Sequence, residues 1–401
     1  MTIFVTICGI IGIFYTVYYI ITCFWGILFK KPREIPVAPA TRRIAAVIAA
    51  RNEEAVIGQL VTSLMQQDYP KELFDVYVIP NNCQDDTEAV AVAAGAKIIH
   101  VQGPIHSKGD ALRGAFSQLT ATGKYDAYCV FDADNLVDRG FFQATNDALA
   151  YGMESAQGYR DSKNPYDNWI AGGFTAFYWF MARFYAESRF RMNMSTHLNG
   201  TGFMVSDAVI RRMGWNTVTL TEDLEFTAQC ALNDVKVGWM SRAIIYDEQT
   251  TSFATSCIQR RRWASGSLQC MWRHTAKLLK KHSLMSFDMA TLFTGNLMCL
   301  IGIVPAVGTA LGMLPFFIDH PWRVLALVLV FAVYYLAFCA CGAYVYKKAG
   351  RLNRRAIPGI LLLPVFMASW MPCSIWACLT PPPKWKEIRH DRGIGEPDIE
   401  E

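Results

Sequence analysis

Charge-free apolar runs alternate along this chain with stretches of mixed composition. Residues 1–29, 289–318, 324–346 and 356–383 carry no Asp, Glu, Lys or Arg. About 20 apolar residues are enough to cross a bilayer, so each run predicts a membrane-embedded helix. Residues 35–282 between the first two have the balance of a globular domain with one sizeable core. Inside it, Ile44–Ala50 (IAAVIAA) is a continuous small-apolar run, as in a parallel strand buried on both faces. Residues 55–67 have helical periodicity, 75–80 read as a second strand, 86–95 as a helix and 97–101 as a third strand. Residues 108–119 read as another helix and Ala127–Phe131 as a fourth strand that stops at Asp132. Strands alternating with helices predict a doubly wound α/β sheet. Such sheets bind ligands at the carboxyl ends of their strands, where Asn52 and Glu53, Asn81 and Asn82, and Asp132 and Asp134 stand.

Charge sets the expected topology. Lys30, Lys31 and Arg33 follow the first run, Lys277, Lys280 and Lys281 precede the second, and Lys347, Lys348 and Arg351 follow the third. Positive residues stay on the cytoplasmic side, which places the globular domain there and the N-terminus outside. The first run has neither a basic start nor a small-residue cleavage site, so it reads as a retained anchor. The last run holds Pro358, Pro364 and Pro372; proline frees backbone groups that lipid cannot satisfy. It is read either as a re-entrant segment or as a kinked fourth span. The expected layout is a transmembrane helix over 1–33, a cytoplasmic domain over 34–263, an interfacial amphipathic helix over 264–286, membrane or re-entrant helices over 287–380 and a cytoplasmic tail over 381–401.

The mean hydropathy of +0.18 fits a membrane protein, and a net charge of +4 is too small to suggest a nucleic-acid partner. The 12 cysteines show no metal-ligand spacing and read as reduced and structural. Neither a Gly-x-Gly-x-x-Gly after the first strand nor a P-loop occurs, which argues against a dinucleotide oxidoreductase or an ATPase.

Several constellations carry potential chemistry. Asp132-x-Asp134 at a strand end offers two carboxylates to one Mg2+ or Mn2+ shared with a diphosphate; an ordinary polar turn is the plainer reading. Thr221-Glu222-Asp223 opens a helix. It is either an N-cap with acids favoured by the helix dipole, or it supplies a general base, Asp223. Gln259-Arg260-Arg261-Arg262-Trp263 is either a basic membrane flank or a diphosphate clamp with a flat sugar platform. Beyond it, Leu268, Met271, Trp272, Ala276 and Leu279 share roughly one helical face opposite a basic one, as in a helix lying on a membrane. Lys108 at a helix start either meets a nucleotide or is solvated. Asn199-Gly200-Thr201-Gly202 is either a close backbone approach to a sugar or a tight turn.

This ordered set (Asn52-Glu53, Lys108-Gly109, Asp132-x-Asp134, Thr221-Glu222-Asp223 and Gln259-x-x-Arg262-Trp263) resembles the membrane-integrated family 2 glycosyltransferases, the cellulose, chitin and hyaluronan synthases and their relatives. The resemblance covers residues 44–263. It implies a nucleotide-sugar-binding GT-A fold in the cytoplasmic domain, an inverting transfer, and a UDP-linked donor such as UDP-glucose or UDP-GlcNAc. It implies Mg2+ or Mn2+ on Asp134 with Asp132, and Asp223 as base beside Glu222. It assigns Asn52, Glu53, Asn81, Lys108, Asp132, Gln259, Arg262 and Trp263 to the donor and its diphosphate. Asn199, Gly200, Thr201 and Trp263 fall to the acceptor. One departure is Asn81, where the family usually has an aspartate that contacts uracil.

The leading expectation is a processive synthase of a β-linked polysaccharide that helps its product across a bacterial plasma membrane. Three or four spans make a narrow channel, so a homodimer or an accessory export subunit is expected alongside membrane lipids and the glycan acceptor. The alternative is a non-processive transferase that adds one sugar to a membrane lipid. A catalytically dead membrane scaffold or transporter is disfavoured by the intact acids.

Overall fold

The structure is a computed structural model that describes residues 2–295, 297 and 321–383. Helix α1 (Thr2–Phe29) leads into a domain whose eight described strands are β1 (Ile44–Ala50), β2 (Phe74–Pro80), β3 (Lys97–Ile98), β4 (Ala127–Phe131), β5 (Leu136–Val137), β6 (Ser155–Ser162), β7 (Phe203–Ser206) and β8 (Val237–Asp247). They form one sheet in the order β3-β2-β1-β4-β7-β6-β8-β5.

The first half matches the expected parallel α/β pattern: β1 pairs in parallel with β2 and β4, and β2 with β3. β1 has no polar side chain because both its faces are covered. Ile44, Ala46 and Ile48 belong to one core with α2 (Ile57–Met65); Ala45 and Val47 belong to the other, with α4 (Lys108–Thr122). Helix α3 (Thr87–Ala93) links β2 to β3. β3 is shorter than the predicted 97–101 because Val101 leaves the sheet edge to cover α4. A Cβ at Gly114 would lie 2.2 Å from Val101 Cγ1.

The second half is not doubly wound in the simple sense. β7 is antiparallel to both β4 and β6, β6 is parallel to β8, and β5 closes the edge antiparallel to β8. The sheet is therefore mixed. Helices α5 (Phe141–Ala150), α8 (Asp207–Met213) and α9 (Glu222–Leu232) pack around it. Between β6 and β7, α6 (Trp169–Phe180) starts on an Asn168 cap and continues through a π-helical turn, Met181–Glu187, into α7 (Ser188–Arg191).

Three described segments are long and apolar enough to cross a membrane: Thr6–Phe29, Trp322–Lys348 and Arg354–Leu379. The last is three short helices, Ile357–Leu361, Leu363–Ala368 and Trp370–Leu379, with Pro358 and Pro364 in the first turns of the first two. Proline fits there because those N–H groups have no helical acceptor. Helix α10 (Phe253–Lys280) starts before the expected boundary at 264 and runs unbroken through the arginine triplet. Its buried positions, among them Ser256, Arg260, Gly266, Cys270 and Leu278, pack on α9 and on Trp370–Leu379. Trp272 projects outward, 80% exposed. Residues 284–295 form a further helix; most of the second apolar run and the tail from 384 lie outside the described residues.

An aromatic cluster ties the apolar helices to the domain. Phe174 and Trp179 of α6, Tyr346 and Phe366 are buried in it, with Trp263 and Trp370 packed alongside. A second junction is ionic. Arg189 of α7, fully buried, donates to both carboxylate oxygens of Asp288 at 2.9 and 3.0 Å. Tyr18 of α1 donates to Asp288 at 2.7 Å, and Arg189 reaches Thr22 at 3.2 Å.

Candidate active site

Three strands end side by side in polar loops. After β1 the chain turns at Asn52 (φ 54°) and after β2 at Asn82 (φ 52°), left-handed positions that asparagine tolerates better than most residues. The two loops are sewn together. Asn52 Oδ1 accepts from the Gln84 N–H at 2.8 Å, and the Glu53 N–H donates to Thr87 Oγ1 at 2.8 Å. Asn81 is buried; Arg51 Nε donates to its carbonyl at 2.9 Å and Arg51 Nη2 to its Oδ1 at 3.3 Å.

β4 delivers Asp132 to the centre of this row. Lys108, the first residue of α4, donates to Asp132 Oδ1 at 2.5 Å and to the Gly200 carbonyl at 2.7 Å. It also lies 3.8 Å from Glu222. Burial works against both charges of the Lys108–Asp132 pair, but their attraction wins. The Asp132 carboxyl is held below the usual carboxylate range and the Lys108 ammonium above the usual lysine range. Asp223, next to Glu222 at the start of α9, goes the other way. Burial first, and the neighbouring Glu222 second, push its carboxyl up to about 7. Gly200 (φ 92°) abuts it: a Cβ there would sit 3.6 Å from Asp223 Oδ2. The loop thus leaves the Asp223 carboxylate with backbone rather than a side chain beside it.

Glu225, further along α9, is tied down by hydrogen bonds. The Val218 and Thr219 N–H groups each donate to it at 2.7 Å, and His274 lies 3.2 Å away. Burial would raise its carboxyl, yet these bonds hold it below the usual range.

Behind Asp132 and Asp134 stands a buried network with no motif to announce it. Asn135 Nδ2 donates to Asp247 at 2.8 Å; Arg160 donates to Asp247 through Nε at 2.9 Å and to the Asn199 carbonyl at 3.0 Å. Thr201 bonds Asn135 and lies 3.0 Å from the Asp132 N–H. The Asn199 backbone N–H donates to Gln157 Oε1 at 2.9 Å. Asp134 is 7% exposed, with Asn135 Nδ2 at 3.4 Å from its carboxylate and Lys163 on its carbonyl. Arg160, Asp247, Asn135, Gln157 and Lys163 went unread in the sequence. β6 and β8 are the strands that bring Arg160 and Asp247 together, and neither strand was expected.

The arginine triplet splits over three directions of α10. Arg260 is fully buried and turned to the last apolar segment, donating to the Phe366 carbonyl at 3.3 Å and Ser369 Oγ at 2.6 Å. Arg261 reaches Thr380 at 2.8 Å and lies over the Trp376 ring at 4.3 Å. Of the three, Arg262 is the one whose charge reaches the acids, adding a small part to the pull of Lys108 on Asp132 and offsetting a small part of the rise that burial and Glu222 impose on Asp223. Gln259 is half-buried on the same helix. Trp263 stacks on Trp370 at 5.9 Å and meets Phe174 edge-on at 6.0 Å. The structure therefore gathers Lys108, Asp132, Gly200, Glu222, Asp223 and Arg262. Asn52, Glu53 and Asn81 line the adjoining strand ends, and Asn199, Thr201 and Asp134 sit beside the centre. Among the described residues no group of three or more His, Cys, Asp or Glu side chains is arranged as a complete metal-ligand set.

Comparison with known proteins bears on this arrangement. The sequence model described as "Glycosyltransferase like family 2" matches residues 39–266. The beta-monoglucosyldiacylglycerol synthase of Synechocystis sp. is 28% identical over 232 residues, which span 57% of this chain and 48% of that protein. A probable glycosyltransferase of Bacillus subtilis, YdaM, is 24% identical over 273 residues, 65% of this chain and 64% of its own. Cellulose synthase 2 of Novacetimonas hansenii is 25% identical over 277 residues but only 16% of it is covered. The chain thus spans about half to two thirds of the length of the first curated relatives it matches. Among solved structures, the mannosyltransferase PcManGT from Pyrobaculum calidifontis, in complex with GDP-Man and Mn2+, superposes with a TM-score of 0.59. The alignment covers 93% of this chain and 99% of that one; at 14% identity it speaks for the GT-A fold.

Proposed function

The chain belongs to the family described as glycosyltransferase like family 2, and on that premise we propose that it transfers one hexose from a nucleoside-diphosphate sugar to a hydroxyl of a membrane lipid, with inversion at the anomeric carbon. The observation that carries the chemistry is Asp223, a carboxyl group with its pKa raised to about 7, beside Gly200 and within the fields of Lys108 and Arg262. A general base works best when its pKa lies near the working pH. The acceptor oxygen attacks the anomeric carbon as its proton passes to the Asp223 carboxylate. The bond from that carbon to the diphosphate oxygen breaks, and the electron pair leaves with the nucleoside diphosphate. Lys108 and Arg262 offset the charge that builds on it. The absence of a side chain at Gly200 gives the acceptor room.

The lipid acceptor is supported by the diacylglycerol-glucosylating relatives and by the apolar helices packed directly on the domain. With the domain on the cytoplasmic side, donor and lipid headgroup meet at that face. Polysaccharide synthesis is the second reading, favoured by Gln259-x-x-Arg262-Trp263. The Trp263 ring, however, is engaged with Trp370 and Phe174. Incubating the purified protein with labelled UDP- and GDP-hexoses and diacylglycerol separates the two. A single glycolipid spot is expected; a ladder of rising length would establish processivity instead, and no transfer with any donor would end both readings.

A divalent cation fits the strand end. Mg2+ commonly binds through one or two carboxylates plus substrate phosphates, keeping several waters. Asp134 and Asp132 would supply those carboxylates, with Lys108 already engaging Asp132. When bound, Mg2+ or Mn2+ would neutralise the leaving diphosphate. Asp134→Ala is expected to remove the Mn2+-dependence of UDP binding in calorimetric titrations; equal affinities for the variant and the wild type at every Mn2+ concentration would refute that role.

A further inference from the structure

We infer that Gly266 and Gln269 of α10 are positioning residues for Asp223. They hold the Leu220–Thr221 segment against the helix that carries Arg262, and so fix where the Asp223 carboxyl stands; this rests on the glycosyl-transfer reading above and names what sets the geometry of its base.

Four-residue steps bring Arg262, Gly266, Cys270 and His274 onto one side of α10, with Gln269 beside them. That side meets the chain entering α9. The Leu220 N–H donates to Gln269 Oε1 at 2.9 Å. Thr219 Oγ1 lies 3.4 Å from Cys270 Sγ, and His274 Nε2 lies 3.2 Å from Glu225 Oε1. Gly266 makes the closest approach. A Cβ there would lie 2.5 Å from Thr221 Cγ2, 2.6 Å from Thr221 Oγ1 and 2.9 Å from the Thr221 nitrogen. Glycine is a poor residue for a helix interior, and Gly266 is buried inside α10; the approach of Thr221 accounts for its presence.

Thr221 cannot yield alone. It is buried, and its carbonyl accepts the Glu225 N–H at 3.0 Å. Its backbone is thus tied into the first turn of α9, where Asp223 stands. A side-chain rotation could carry Cγ2 and Oγ1 away from an added methyl group, but not the nitrogen. Non-bonded carbon contacts settle near about 3.5 Å, so alanine at 266 would displace the Thr221 backbone, and the start of α9 with it, by about 0.5 Å. Gln269 acts on the same segment by a bond rather than by contact. Without its Oε1 the Leu220 N–H loses that acceptor, and the segment is released from α10 on this side.

The test compares wild type, G266A and Q269L as full-length proteins in detergent with Mn2+. Turnover is measured with diacylglycerol and the labelled UDP- or GDP-hexose that wild type uses fastest, and affinity for the matching nucleoside diphosphate by calorimetry. Each variant is expected to lose about tenfold or more in kcat, since a misplacement of about 1 Å can cost about a hundredfold. Nucleoside-diphosphate affinity should stay within about twofold, because the donor contacts are untouched. A merely structural role would move turnover and affinity together, or neither. Q269L adds no bulk at the Thr221 contact and carries the test if G266A misfolds. Turnover close to wild type in either folded variant overturns the inference, as does a parallel loss of turnover and affinity. A wild type that transfers from none of these donors overturns the transfer reading, and this inference with it.

Discussion

Asp223→Asn is expected to lower turnover about a thousandfold, within the 10²–10⁴ span typical of a lost general base, while nucleotide affinity stays within about twofold because the change removes one proton-accepting oxygen and keeps the shape. The amide cannot take the acceptor's proton, and Glu222 and Glu225 are engaged elsewhere, by Lys108 and by the Val218 and Thr219 N–H groups. Wild-type kcat/KM should climb with pH and level off above about 7, where Asp223 ionises. The sign for stability is opposite. The folded carboxyl is raised above the unfolded value of 3.8, so the stability it contributes is full below pH 3.8 and is lost as pH rises through about 7. A variant that turns over near the wild-type rate, or a wild-type profile already flat from pH 4 to 8, would remove Asp223 from the base role.

Asp288→Ala should be the most destabilising change outside the site. It leaves the fully buried Arg189 guanidinium with Thr22 and the face of Tyr185 but no counter-charge. Breaking a buried ion pair from one side costs about 3–5 kcal/mol. The loss should appear as a lower unfolding midpoint in detergent. Replacing both partners with apolar residues, Arg189→Met with Asp288→Leu, should recover much of it, because the cost lies in the stranded charge. A single variant as stable as wild type would show that water reaches Arg189.

What was legible in the sequence was what local pattern dictates. β1 is buried on both faces, so its seven residues are all apolar and its limits coincide with those read from the chain. Lys108 and Thr221 mark helix starts, and Asp132 follows an unbroken apolar strand. β6 and β8 gave no such signal. β6 reads SAQGYRDS, with a register shift at Gly158/Tyr159, and polar residues face a buried network rather than water. The antiparallel joins of β7 are set by long-range pairing that periodicity does not record. The site shows the same division. Its acids stand in short motifs, but the Arg160–Asp247 pair that braces them is assembled from positions 87 residues apart. The triplet at 260–262 was legible as a cluster of charge; only the helical twist of α10 shows that its members point to different places.

That twist has a mechanical consequence. Arg260 is anchored on the Phe366 carbonyl and Ser369, at a break in the last apolar segment, while Arg262, two residues on, lends its field to Asp132 and Asp223. One helix is thus held at one position by the last apolar segment and, two residues on, lends its charge to the acids. Removing the Arg260 side chain should therefore be felt at the Asp132 and Asp223 carboxyls as well as at the last apolar segment.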